Sequence, residues 1–156
     1  MASGGLSELQ DGIGQRLAGL VSRGRSASAY FNRTLLQEFK DKQNERWQTE
    51  NASQTGKWAP LSPLYARQKK KRFAGFPGGG NALMVATGRL AQGAQGINSG
   101  YYYKTVTDRS FIFGVNLGAL PYAKYPGVRR PFMSFSEDTI SAWRRGVGDY
   151  IMKGQL

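Results

Sequence analysis

Leu6, Leu9, Ile13, Leu17 and Leu20 recur at spacings of three and four, which predicts one apolar stripe on a helix from Leu6 to Val21. Glu8 and Asp11 suit its positive N-terminal end, while Gly12, Gly14 and Gly19 each weaken it by about 1 kcal/mol relative to Ala. Such a helix needs something to pack on. Ser22 to Ser28 reads as a break, and a second helix follows from Ala29 to Glu50. Its apolar face carries Phe31, Leu35, Phe39 and Trp47, and charged residues fill much of the remainder. Glu38 and Lys42 stand four apart in the favourable order for a surface pair.

Asn51 to Lys57 is polar and reads as a loop. Pro60 and Pro63 forbid a regular helix before Pro63, and Ser62-Pro63 reads as an N-cap followed by a first-turn proline. A short helix from Pro63 then ends in the run Arg67, Lys69, Lys70, Lys71, Arg72. From Phe73 to Tyr103 the only charged residue is Arg89. Gly75 to Asn81 is loop, Ala82 to Leu90 reads as a short helix or strand closed by Thr87-Gly88, and Gly93 to Gly100 as a mobile loop.

Tyr101 to Thr107 and Ser110 to Asn116 alternate and are rich in aromatic and β-branched residues, so with Asp108-Arg109 between them they predict a β-hairpin. Phe111, Phe113 and Val115 share one of its faces. Pro121 to Pro131 is turn-like. Ser134 or Ser136 caps a last helix to about Met152, with Ile140, Trp143, Val147 and Tyr150 as its buried stripe. The expected fold class is α+β: a small antiparallel sheet with a long β-hairpin packed against N-terminal and C-terminal helices, with glycine-rich loops. Residues 1–28 form an N-terminal helical arm and residues 29–156 a single domain.

Composition narrows the chemistry. The 156 residues contain no Cys and no His, so thiolate, disulfide and zinc-finger chemistry and a His general base are excluded. The ten acids are scattered over helix surfaces and caps with no spacing that pairs two in a cleft, so the chain reads as non-enzymatic, without cofactor or metal. The glycine-rich loop is not a phosphate cradle, because no Gly-Lys-Ser/Thr follows it. Twenty-one glycines and a modest aliphatic content describe a thin core that gains stability from partner subunits. No apolar run reaches the length of a membrane span.

Lys and Arg number 22 against 10 acids, a formal net charge of +12. Five cations within Arg67 to Arg72 are a possible contact for DNA phosphates or an acidic partner; the alternative is a solvated helix end. Tyr101 to Tyr103 beside Lys104 fits an interface better than a base-stacking platform.

Four separated pieces in order carry a resemblance: Trp58-Ala59-Pro60-Leu61-Ser62 with Tyr65, Thr87-Gly88-Arg89-Leu90, Pro121-Tyr122-Ala123 with Gly127, and Arg130-Pro131-Phe132. Together they resemble the virion morphogenesis family of tailed phages, which includes tail completion proteins of Mu-like and P2-like phages. Lys124-Tyr125-Pro126-Gly127 lacks the histidine that members often carry there, and the loop before Arg130 is short. The resemblance implies a structural virion protein at the tail's head-proximal end or the head–tail joint, with no catalytic residues. It would be a homo-oligomeric ring, a hexamer, touching the tail tube and neck or head-completion proteins, in contact with passing DNA and without membrane association. Its place would be the virion, and the host cytoplasm during assembly. The alternative is a small basic protein that binds DNA without sequence preference. Within the family pieces, Trp58 and Tyr65 are expected to be buried where the proline-rich turn docks on the sheet. Gly88 takes positive φ, Phe132 and Phe135 point inward, and Arg130 reaches a partner or a carbonyl.

Overall fold

The computed structural model describes residues 4–125 and 130–154, with residues 4–11 described by their backbone alone. The fold is α+β, with five helices and one two-stranded antiparallel sheet among the described residues. Helix α1 spans Gly4–Arg25. Helix α2 is continuous through Ser28–Tyr30, a π-helical stretch Phe31–Leu35, and Leu36–Gln48. Helix α3 is Pro63–Arg72, α4 is Arg89–Ala94 and α5 is Glu137–Lys153. The strands are β1, Tyr102–Val106, and β2, Phe111–Val115, and a 3₁₀ turn covers Pro121–Ala123.

The hairpin is the whole sheet. Its register pairs Tyr102 with Val115, Lys104 with Phe113 and Val106 with Phe111, so Phe111, Phe113 and Val115 do share one face. That face meets α2 and α5 through aromatic rings. The buried Phe39 ring lies 4.4 Å from Phe113, 5.5 Å from Phe135 and 6.2 Å from Trp143, centroid to centroid. The turn is pinned to the start of α2: Ala27 N donates to Asp108 O at 2.7 Å, and Ser26 Oγ donates to Asp108 Oδ1 at 2.7 Å.

Two small cores replace one large one. The first joins Ala27, Tyr30, Phe31, Leu35 and Tyr150, with Phe111 and Trp143 packed against it. The second joins Trp58, Leu83, Leu90, Val115, Leu120 and Phe132. The hairpin touches both, at its Phe111 end and its Val115 end.

Polar groups carry much of the tertiary fixation. Gln43 and Arg46 on α2 are fully buried. Gln43 Nε2 donates to Phe132 O at 3.0 Å, Arg46 donates to Ser134 O, and the guanidinium sits 4.4 Å from the Phe135 ring centre. Burial pushes the Arg46 pKa down to about 10, so it stays charged at neutral pH. A cation–π contact and a carbonyl replace the carboxylate that a buried arginine ordinarily recruits. Just beyond the end of α2 the chain turns at Glu50 and Asn51, both in the left-handed region at φ 51° and 73°.

Several sequence expectations change. Helix α1 extends through the expected break as far as Arg25, and its stripe is not absorbed by the core: Ile13 and Leu17 are 56% and 58% exposed. Its main contact is with α5, where Arg23 Nε donates to Ile151 O at 3.0 Å. Lys42 pairs with Glu45 at 2.9 Å rather than with Glu38. Ala82 to Gly88 forms turns, neither helix nor strand, and the helix begins only at Arg89. Gly93 and Ala94 belong to α4 rather than to a loop: Gly93 is buried, and a β-carbon there would lie 2.7 Å from Tyr101 O, whereas Ile97 to Gly100 are exposed outside the helix. Gly79 in the glycine-rich loop is likewise buried against Phe73. At α5 the cap is Ser136, whose Oγ accepts from Thr139 N at 3.3 Å. No described helix is long and apolar enough to cross a membrane.

Candidate functional site: an aromatic groove

The four sequence pieces converge on one region. Trp58 is buried, stacks edge-on to Trp47 at 5.1 Å, and donates its indole N–H to Pro131 O at 3.0 Å. Arg130 closes the same joint from outside: Nε donates to Ala59 O at 2.9 Å and Nη2 to Pro60 O at 3.2 Å. Thus Arg130 takes the carbonyl option, and its fork fits two successive carbonyls of a chain that proline keeps extended. Phe132 is buried beside Trp58.

Ser62 caps α3 as expected, with its Oγ accepting from Tyr65 N at 3.4 Å and Pro63 in the first turn. Gly88 caps α4 at φ 80°, a conformation that opens the turn from Thr87 into the helix and delivers Leu90 to the core. Ala123 is buried, whereas Tyr122 on the same 3₁₀ turn is exposed. Gly127 lies outside the described residues.

Tyr65 departs from expectation. It is 48% exposed and does not dock on the sheet. The helix that Ser62 starts turns Tyr65 to the surface, where it lines a groove of about 300 Å³ with Leu61, Lys69, Met84, Ala86, Leu90, Tyr122, Tyr125 and Arg130. Five of these nine, Leu61, Tyr65, Leu90, Tyr122 and Arg130, come from the four sequence pieces. Met84 and Tyr125 are additions: Met84 has φ 58°, set by a turn that spacing does not reveal, while Tyr125 stands three after Tyr122 and was legible in principle. A wider cavity of about 650 Å³ lies against Trp58, Pro60 and Leu83, with Glu50 and Lys57 paired at 3.5 Å on its wall.

The basic run divides. Arg67, Lys70, Lys71 and Arg72 are exposed at the end of α3, but Lys69 points inward and donates to Ala82 O. Burial lowers the Lys69 pKa, partly opposed by nearby Glu50. Lys69 therefore serves packing, and it stands in the lining of the groove rather than with the exposed cations. No group of three metal-ligating side chains occurs among the described residues.

Comparison of the chain with models of protein families, with curated proteins and with solved structures finds no match. The groove's chemistry stands on its own geometry. It is mostly apolar, and its lining includes three tyrosines together with Lys69 and Arg130. Surfaces of this kind bury aromatic and aliphatic side chains from another polypeptide.

Proposed function

We propose that the chain is a structural, non-enzymatic virion protein of a tailed phage, a tail completion or head–tail connection component that assembles as a homo-oligomeric ring. The observation that carries this reading is the convergence of the family pieces: Trp58 is tied to Pro131, Arg130 to Ala59 and Pro60, and Leu61, Tyr65, Leu90 and Tyr122 share one groove. Residues far apart in sequence that build one surface support a common purpose for that surface. Two small cores and exposed apolar side chains fit a subunit completed by neighbours. The ring would cap the tail tube and present a face to the neck, with cations toward passing DNA or acidic neighbours. The test is sedimentation of the purified chain together with assembly of particles lacking it. A chain that stays monomeric at high concentration, with heads still joining tails in its absence, overturns the reading.

A second reading, DNA binding without sequence preference, draws on the four exposed cations at the end of α3. Filter binding over a salt series separates the two, because submicromolar affinity at physiological salt with a steep salt slope favours DNA binding.

A further inference from the structure

The inward side of α2 changes character along its length. Phe31, Leu35 and Phe39 are buried and apolar, but the buried positions that follow are Gln43, Arg46 and Asn51, with Trp47 and Gln54 partly buried beside them. Every buried side-chain nitrogen or oxygen without a partner among the described residues belongs to these five. Four are donors, Arg46 Nε and Nη1, Trp47 Nε1 and Gln54 Nε2; two are acceptors, Gln43 Oε1 and Asn51 Oδ1. The other half of each amide sets its orientation. Gln43 Nε2 donates to Phe132 O, Asn51 Nδ2 donates to Gly56 O, and Gln54 Oε1 accepts from Ser136 N. A flip of any of them would break a bond already made.

Arg46 also lacks a countercharge. Its guanidinium meets Ser134 O and the Phe135 ring, while the acids nearest in sequence are engaged elsewhere, Glu45 with Lys42 at 2.9 Å and Glu50 with Lys57 at 3.5 Å. A buried cation that touches only a dipole and a ring keeps much of its desolvation cost.

We propose that a small inorganic anion of the chloride class is held in the seam between the end of α2 and residues 132–136, with Arg46 supplying the charge and Trp47 and Gln54 supplying further N–H donors. Water fits this donor set less well. Each water that accepts from these groups brings two hydrogens of its own, and only two free acceptors stand ready for them. A halide accepts from several donors at once and donates nothing. Gln43 and Arg46 are fully buried, which limits the occupant to something small and enclosed by folding. The seam also ends at the start of α5. Gln54 Oε1 holds the Ser136 N-cap, at the positive end of a 17-residue helix dipole, and that end attracts an anion.

The experiment follows urea unfolding of the full chain while sodium gluconate is exchanged for sodium chloride at constant ionic strength, gluconate being too large for an enclosed site. The folding equilibrium constant should rise with chloride, approaching about tenfold for each tenfold rise in concentration once the site is occupied. Arg46→Met, which keeps an unbranched stem and removes the charge, should abolish that dependence. If Arg46→Met does not fold, Trp47→Phe, which removes one free donor, should shift the dependence to higher chloride. Bromide soaked into crystals in place of chloride should give an anomalous peak in contact with the Arg46 guanidinium. Equal stability in the two salts assigns the donors to water and overturns the proposal. A chloride dependence that the variants leave unchanged assigns the effect to the net charge of +12 and also overturns it, as does bromide found only at the surface.

Discussion

Trp58 and Pro131 are joined by an indole N–H donated to a carbonyl at 3.0 Å, across 73 positions of the chain. The bond fixes the segment that leads into α5 against the proline-rich turn that leads into α3. Trp58→Phe keeps much of the ring burial, loses this bond, and should cost about 1 kcal/mol. Trp58→Ala leaves a cavity and should cost about 3–5 kcal/mol. Urea unfolding of the two variants measures both values, and a Trp58→Phe variant as stable as wild type would show that the hydrogen bond carries nothing separate from the packing.

Arg130 should behave differently from a surface charge. Its side chain spans two carbonyls, Ala59 and Pro60, and no carboxylate. Arg130→Lys cannot bridge both and should destabilise by about 1–2 kcal/mol, a loss that added salt changes little because no ion pair is broken. Thermal melts in low and high salt test this; a salt-sensitive loss would assign the effect to long-range charge.

Gly93→Ala brings a methyl against Tyr101 O at 2.7 Å and Leu120 Cδ1 at 3.3 Å. The backbone of α4 must shift away from the hairpin, and a loss of about 1–3 kcal/mol is expected from overpacking. Gly12→Ala, with open space around it, should instead raise helix stability. The contrast, read by denaturant midpoint, distinguishes a packed glycine from a merely flexible one.

Tyr30 gives a signature at high pH. Its phenol is pushed above the ordinary value of 10.0, first by burial and then by the charges of Glu38 and Asp149. The folded chain keeps a proton that the unfolded chain releases, so this contribution is complete below about pH 10 and is lost as pH rises through the folded value. Tyr30→Phe should flatten the decline in stability above about pH 10, measured by urea unfolding at a series of pH values. An unchanged decline would show that the phenol does not titrate differently in the two states.

Local patterns were legible where local physics decides. The hairpin appeared from alternation, because Phe111, Phe113 and Val115 meet one neighbouring surface. The Ser62-Pro63 cap appeared because a cap involves only the next turn, while the last helix left Ser134 and Ser136 both open and Ser136 is the cap. The failures share a cause. Ala82 to Gly88 has no regular structure, since Leu83, the Lys69 bond to Ala82 O and the left-handed Met84 are settled by chain brought in from elsewhere. Gly93 looked mobile because glycine signals freedom, yet its lack of a side chain admits Tyr101. Lys69 stood in a charge run and gave no sign that it alone would turn inward. Of the groove, Leu61, Tyr65, Leu90, Tyr122 and Arg130 stood out in the sequence, but not that Tyr65 faces out.

The π-helical stretch Phe31–Leu35 in α2 has a consequence for how the chain tolerates change in its length. A π turn holds one residue more than an α turn, and such stretches behave as single-residue insertions in an α-helix. The extra residue lets Tyr30 and Phe31, adjacent in sequence, both lie buried, while Leu35 and Phe39 continue the inward row. Removing one residue between 31 and 35 would return the helix to a regular wind with its two flanks in their present phase. The stretch is thus a seam at which this otherwise length-critical helix can lose a residue and still meet the same neighbours.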